Sequence, residues 1–141
     1  QVLDDLVLQQ QRLILGICVG MQMMAKRSDE GEREGLAWFD AEVKRFDDTN
    51  LKQKTGLPHM GWNDVTPVET DTLFKDLDKP RFYFLHSYYF SPTEKWQVLS
   101  LTDYNGSFAS AVRSGNIFGV QFHPEKSHQW GVKLLKNFAE L

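Results

Sequence analysis

Cys18 is the only cysteine of the chain, and it stands between two glycines in Gly16-Ile17-Cys18-Val19-Gly20. The G-x-C-x-G spacing is the thiol counterpart of the G-x-S-x-G elbow, which holds a nucleophile on a sharp turn between a strand and a helix. The apolar run Leu13 to Ile17 predicts a buried strand, and Val19 to Ala25 predicts the helix. A thiol at a helix N-terminus meets backbone N–H groups that favour thiolate. Taken alone, the setting also fits a buried core cysteine. A second cluster lies at the far end. The strand pattern Gly115 to Phe122 runs into His123-Pro124-Glu125-Lys126-Ser127, and α/β folds gather their catalytic groups at the carboxyl ends of strands. Cys18, His123 and Glu125 would supply a nucleophile, a base and the group that orients the base.

Short elements must carry these residues. Of the 141 residues, 41% are hydrophobic and 25% charged, which predicts one soluble globular domain over residues 1–141. The net charge of −3 gives no nucleic-acid signature. No apolar run is long enough to span a bilayer, and a lone thiol suits a reducing cytoplasm. Leu3, Leu6, Val7 and Gln10 predict a short amphipathic helix. Trp38 to Phe46 and Leu57 to Val65 read as strands, with a bend at Gly61. Thr66-Pro67 opens a loop, and Thr72 to Leu77 predicts a short helix. Arg81 to Tyr89 reads as a strand buried on both faces. Trp96 to Thr102, Phe108 to Arg113 and Asn116 to Phe122 follow as strands, the first two joined by an Asn105-Gly106 turn. Gln129 to Leu141 closes as an amphipathic helix with Trp130, Val132, Leu134, Leu135 and Phe138 toward the core. The class is α/β, with a largely parallel sheet, flanking helices and an antiparallel appendage. The histidines show no metal-ligand spacing, so no metal is expected.

Gly16 to Gln22 together with Phe122 to Ser127 resembles the class I, triad-type glutamine amidotransferases. Leu57-Pro58-His59-Met60-Gly61-Trp62-Asn63 and Phe82-Tyr83-Phe84-Leu85-His86-Ser87-Tyr88 narrow the resemblance to the glutaminase subunits of imidazole glycerol phosphate synthase, in histidine biosynthesis. The resemblance implies a flavodoxin-like fold and hydrolysis of glutamine to glutamate and ammonia by Cys18, His123 and Glu125, without a cofactor. It implies that the Val19 N–H serves an oxyanion and that Glu30 holds the substrate's ammonium. His86, Ser87 and Tyr88 would wall the substrate site. Gln22 lies one helical turn from Cys18; the resemblance makes it a substrate contact, and a polar residue packed on the helix is the other reading.

The partner implied is a barrel-shaped synthase (cyclase) subunit, forming a heterodimer that receives the ammonia. Met60, Trp62, Tyr83 and Lys126 match positions near that docking face, although Met60, Trp62 and Tyr83 fit a hydrophobic core equally well. The resemblance also implies strand–helix units and a glycine-rich oxyanion segment ahead of the cysteine strand. Such a unit takes about 30 residues, more than Gln1 to Gln11 can hold, so a chain lacking its N-terminal part is expected. Two rivals remain: a paralogue feeding a sugar amidotransferase of surface polysaccharide synthesis, and a non-catalytic binding module.

Overall fold

A computed structural model describes residues 2–29, 31, 34–47 and 57–141. The chain begins with α1 (Val2–Asp4), which runs on as a π-helical turn, Asp5–Gln9, that buries only Val7. Strand β1 (Ile14–Ile17) leads into the single helical turn α2 (Val19–Gln22). The helix expected as far as Ala25 stops early. The backbone bends there because Lys26 N–H must reach the Ala41 carbonyl at 2.9 Å, beside the pairing of β2 (Arg27–Ser28) with β3 (Ala41–Arg45).

Strand β4 (His59–Asp64) is followed by β5 (Thr66–Pro67), a short strand where a loop was expected. No helix forms over Thr72 to Leu77. Side chains satisfy that backbone instead: the Glu69 carboxylate takes the Thr72 N–H at 2.9 Å, and Asn137 Nδ2 donates to the carbonyls of Leu73 and Lys75.

The Arg81–Tyr89 segment divides at Ser87 into β6 (Arg81–His86) and β7 (Tyr88–Pro92). In β6, Phe82, Phe84 and His86 are buried in alternation with more open neighbours, so one face is packed and not both. After it come β8 (Val98–Asp103), β9 (Ser107–Ser114), β10 (Ile117–Val120) and α3 (His128–Ala139). The turn between β8 and β9 falls where expected, with the Gly106 N–H on Asp103 Oδ1 at 2.9 Å.

The expected α/β class is what the chain adopts, and its principal sheet runs β1-β10-β9-β8-β5. The β1–β10 pair is parallel and the other pairs of that sheet are antiparallel. Parallel pairing is confined, among the described residues, to β1–β10 and β2–β3, because tight hairpins join β8 to β9 and β9 to β10. One core layer holds Phe74, Phe82, Phe84, Phe118, Phe122 and Leu134; the other holds Met21, Met24, Phe39, Val43, Phe90 and Val112. Of the α3 core candidates, Leu134 is fully buried, while Val132 is 68% exposed and turns outward. Among the described residues no helix is long and apolar enough to cross a membrane.

Candidate active site

Cys18 closes β1 with its N–H on the Val120 carbonyl at 2.8 Å. Its backbone adopts φ 54° and ψ −107°, a conformation that L-residues avoid and that persists where surrounding structure enforces it. Enforcement comes from both sides. The chain next turns into α2, with Gln22 N–H on the Cys18 carbonyl at 3.1 Å. Gly16 supplies the room, since a Cβ there would stand 2.8 Å from the Gly20 backbone. These are the features of a nucleophile elbow.

The thiol is 8% exposed. It donates to the Leu85 carbonyl at 3.7 Å and accepts from Gln121 Nε2 at 3.5 Å. Burial raises its pKa above the usual thiol value; the Val19 N–H and the Gln121 amide pull it back down, Glu125 raises it and Lys126 lowers it. The expected help from the backbone N–H is present, and desolvation outweighs it.

His123 follows β10 and is tied to β6 by its N–H on the Tyr83 carbonyl at 2.8 Å. Its Nδ1 lies 2.9 Å from Glu125 Oε2. An ionised carboxylate only accepts, so Nδ1 carries the proton and Nε2 holds the lone pair a base requires. A 3-10 turn, Pro124–Lys126, carries the acid back under the ring. Ser127 pins that turn: its hydroxyl donates to the His123 carbonyl at 2.6 Å and accepts the Tyr83 N–H at 3.0 Å.

Sulfur and imidazole therefore address the same strand. The thiol meets Leu85 and the base segment meets Tyr83, two positions about 7 Å apart along β6. The His123–Glu125 pair is made. The thiol proton points to the Leu85 carbonyl and not to the imidazole, a resting arrangement that must rotate before proton transfer.

Gln22 is half-buried beside the thiol, and its Nε2 donates to Gln121 Oε1 at 3.0 Å and to the Tyr88 carbonyl at 3.3 Å. His86 is buried among aromatic rings, with Nδ1 on the Tyr88 carbonyl at 2.7 Å and Nε2 2.9 Å from His59 Nδ1. Its ring is thus held inside the packed core, and the Tyr88 carbonyl next to it faces Gln22. Ser87 is half-buried, and its carbonyl takes the Phe46 N–H at 3.2 Å. Glu30 lies outside the described residues.

His59, in a motif resembling a docking surface, turns inward between Phe84 and Tyr104. Burial lowers its pKa to about 3, with His86 adding to the effect. Burial likewise lowers that of His86 to about 4; the Tyr88 carbonyl acts against this and His123 reinforces it.

The outward positions of β4 and β6 form a separate face. Met60 is 65% and Trp62 40% exposed, which removes the core reading for both. Trp62 pairs with Tyr83 and Met60 with Leu85 in the antiparallel ladder. Trp62 also stacks on His128, and Lys126 Nζ stands 5.9 Å from the Tyr83 ring. Among the described residues no cluster of His, Cys, Asp and Glu could hold a metal ion.

Sequence reasoning missed Gln121 and Ser127. Both lie within or beside the segment that carries His123, and both are fully buried polar residues; a polar side chain flanking a histidine at a strand end was the available signal.

The family described as glutamine amidotransferase class-I matches residues 3–141. The imidazole glycerol phosphate synthase subunit HisH of Leptospira interrogans is 49% identical over 141 residues, covering 99% of this chain and 69% of that protein. The subunit of the same name from Bdellovibrio bacteriovorus is 47% identical over 142 residues, covering 100% of this chain and 70% of that protein. A solved glutamine amidotransferase from Thermotoga maritima superposes with a TM-score of 0.62 at 18% identity, covering 99% of this chain and 52% of that one, a likeness of fold.

Proposed function

Because the chain belongs to the class-I glutamine amidotransferase family, we propose that it hydrolyses the side-chain amide of glutamine. The released ammonia passes to a synthase subunit that builds imidazole glycerol phosphate in histidine biosynthesis. The Cys18 sulfur attacks the amide carbon, and the thiol proton goes to His123 Nε2. His123 returns that proton to the departing nitrogen, which leaves as ammonia with a thioester behind. Water, deprotonated by the same imidazole, cleaves the thioester to glutamate and regenerates the thiol. Glu125 holds the Nδ1–H and supports the imidazolium. The Val19 N–H serves the oxyanion. Gln22 and Glu30 hold the amino-acid end of the substrate, against a wall formed by His86, Ser87 and Tyr88. No step calls for a cofactor.

The single observation that carries this reading is the backbone of Cys18: a strained elbow hydrogen-bonded to Val120, the residue from which the chain continues to the His123–Glu125 pair. The exposed face of Met60, Trp62, Tyr83 and Lys126 is where the synthase, a barrel-shaped subunit, docks to form a heterodimer. The relatives at 49% and 47% identity carry the name of that synthase's subunit, which favours it over a sugar amidotransferase as the recipient. A thiol that must stay reduced favours the cytoplasm as the compartment.

The test is glutamate release from glutamine, measured with and without added synthase subunit. Release that rises with the synthase and vanishes in Cys18→Ser supports the proposal. A chain silent in both conditions would be a binding module, and a Cys18→Ser variant with undiminished release would remove the thiol from the mechanism.

A further inference from the structure

We propose that Gln121 is a positioning residue for Cys18: it donates an N–H to the sulfur, and its orientation is dictated by the Tyr88 carbonyl through Gln22, a carbonyl that also ends a one-way series of donors running from Asn63 through His59 and His86. The kinetic consequence rests on the glutaminase reading above; the effect on the thiol itself does not.

Gln121 is fully buried. A buried primary amide is costly unless its donors and acceptor are paired. Its oxygen receives Gln22 Nε2 at 3.0 Å, and its nitrogen faces the sulfur at 3.5 Å. The two ends of a carboxamide are alike in shape, so the direction has to be argued from partners. Gln22 Nε2 also lies 3.3 Å from the Tyr88 carbonyl, which can only accept. The group that Gln22 presents is therefore NH₂, Gln121 must answer with oxygen, and the NH₂ of Gln121 is left for the sulfur.

The Tyr88 carbonyl is fixed in turn. His86 Nδ1 lies 2.7 Å from it and must carry a proton. His86 Nε2 is then the acceptor, so His59 Nδ1 donates to it at 2.9 Å. His59 Nε2 accepts from Asn63 Nδ2 at 3.1 Å, and the same Asn63 nitrogen donates to the Asp103 carbonyl at 2.9 Å. Every link has one possible sense. A proton added to His86 Nε2 would set two N–H groups against each other, in keeping with the lowered pKa values of both rings.

Two donors, from His86 and Gln22, thus converge on one carbonyl and hold the Gln22–Gln121 amide pair in register. An N–H donor gains strength when its acceptor is charged, so Gln121 favours thiolate over thiol in a site where burial works the other way. Gln121 also shares its segment with the base: its own N–H binds the Ser110 carbonyl at 2.8 Å, and His123 follows two residues later. The donor that holds the sulfur and the base that deprotonates it are therefore carried by one piece of backbone.

The test exploits the lone thiol. The rate of Cys18 alkylation by iodoacetamide, followed against pH in the full chain, reads the thiol pKa without any turnover. Gln121→Met keeps the size and removes the donor; it should raise the pKa by about one unit and slow alkylation about tenfold at neutral pH. Gln121→Glu keeps an acceptor for Gln22 but puts a carboxylate beside the sulfur, and should raise the pKa further. Glu125 and Lys126, the charged groups that act on the thiol, are untouched in both.

Should the Gln121 variants not fold, Gln22→Met breaks the lock from its half-buried side and should move the thiol pKa in the same direction. A folded Gln121→Met with the wild-type alkylation profile overturns the proposal, as does an unmoved profile in Gln22→Met when the Gln121 variants fail to fold. In the synthase complex, Gln121→Met should lower kcat. Absent turnover in the wild type with a shifted alkylation profile in the variant would sink the glutaminase reading and leave this one standing.

Discussion

Ser127 Oγ donates to the His123 carbonyl at 2.6 Å, across the turn that brings Glu125 under the imidazole. The same hydroxyl accepts from Tyr83 N–H at 3.0 Å, so one buried side chain ties the base segment to itself and to β6. Ser127→Ala deletes both bonds and leaves the Tyr83 N–H without its partner. The expected loss is about 1–3 kcal/mol in urea unfolding, with a several-fold fall in kcat. Unchanged stability would show that the hydroxyl is replaceable by water.

A second constraint on the same turn comes from Gly131 of α3, where a Cβ would collide with the Pro124 carbonyl. Gly131→Ala must push helix and turn apart, against the gain of about 1 kcal/mol that alanine ordinarily brings to a helix interior. A lowered melting temperature and a weakened His123–Glu125 pair are expected. A variant more stable than the parent would mean that α3 slides without cost.

Glu125→Gln leaves the shape of the acid in place and removes its charge. Without the anion, the neutral imidazole is free to adopt the wrong tautomer, and the imidazolium loses its partner. With Glu125 half in solvent, kcat should fall by about 10²-fold, within the usual range for acid–base catalysis, while KM holds. Stopped-assay glutamate release at saturating glutamine checks this.

The buried imidazoles set an acid limit on stability. His59 and His86 titrate at about 3 and about 4 in the folded chain, below the ordinary value of about 6.5 they regain on unfolding. Between these limits the unfolded state binds more protons. Stability is therefore full above pH 6.5 and falls as the pH drops toward 4, by about 1.4 kcal/mol per pH unit for each ring in mid-range. Urea midpoints at pH 7, 6, 5 and 4 should decline; a flat series would mean that the rings are not held neutral.

Lys126 presents its ammonium over the Tyr83 ring at the edge of the Met60–Trp62 face. Lys126→Glu should weaken association with the synthase subunit by about tenfold, more at low salt than at high. Equal affinity in a titration would move the docking surface elsewhere.

Residue types and spacing were enough to locate the elbow at Cys18 and the acid-oriented base at His123, because glycine, cysteine, histidine and proline each carry strong local meaning. They could not reveal Gln121 or Ser127, whose roles are set by partners far away in the chain: Gln22 and Tyr83. Next to the exposed Met60, strand alternation and the pairing of His59 with His86 turn the His59 ring into the core, which residue type alone does not foretell. Thr72 to Leu77 had a helical pattern, and Glu69 and Asn137 took its backbone groups first. Local pattern loses wherever a distant side chain makes the better offer.

Leu85 is a residue with two audiences. Its carbonyl meets the thiol, and its side chain, 38% exposed, sits beside Met60 on the outer surface. A body resting on that surface is one peptide unit from the nucleophile, so pressure applied outside arrives at the sulfur with almost nothing between to absorb it.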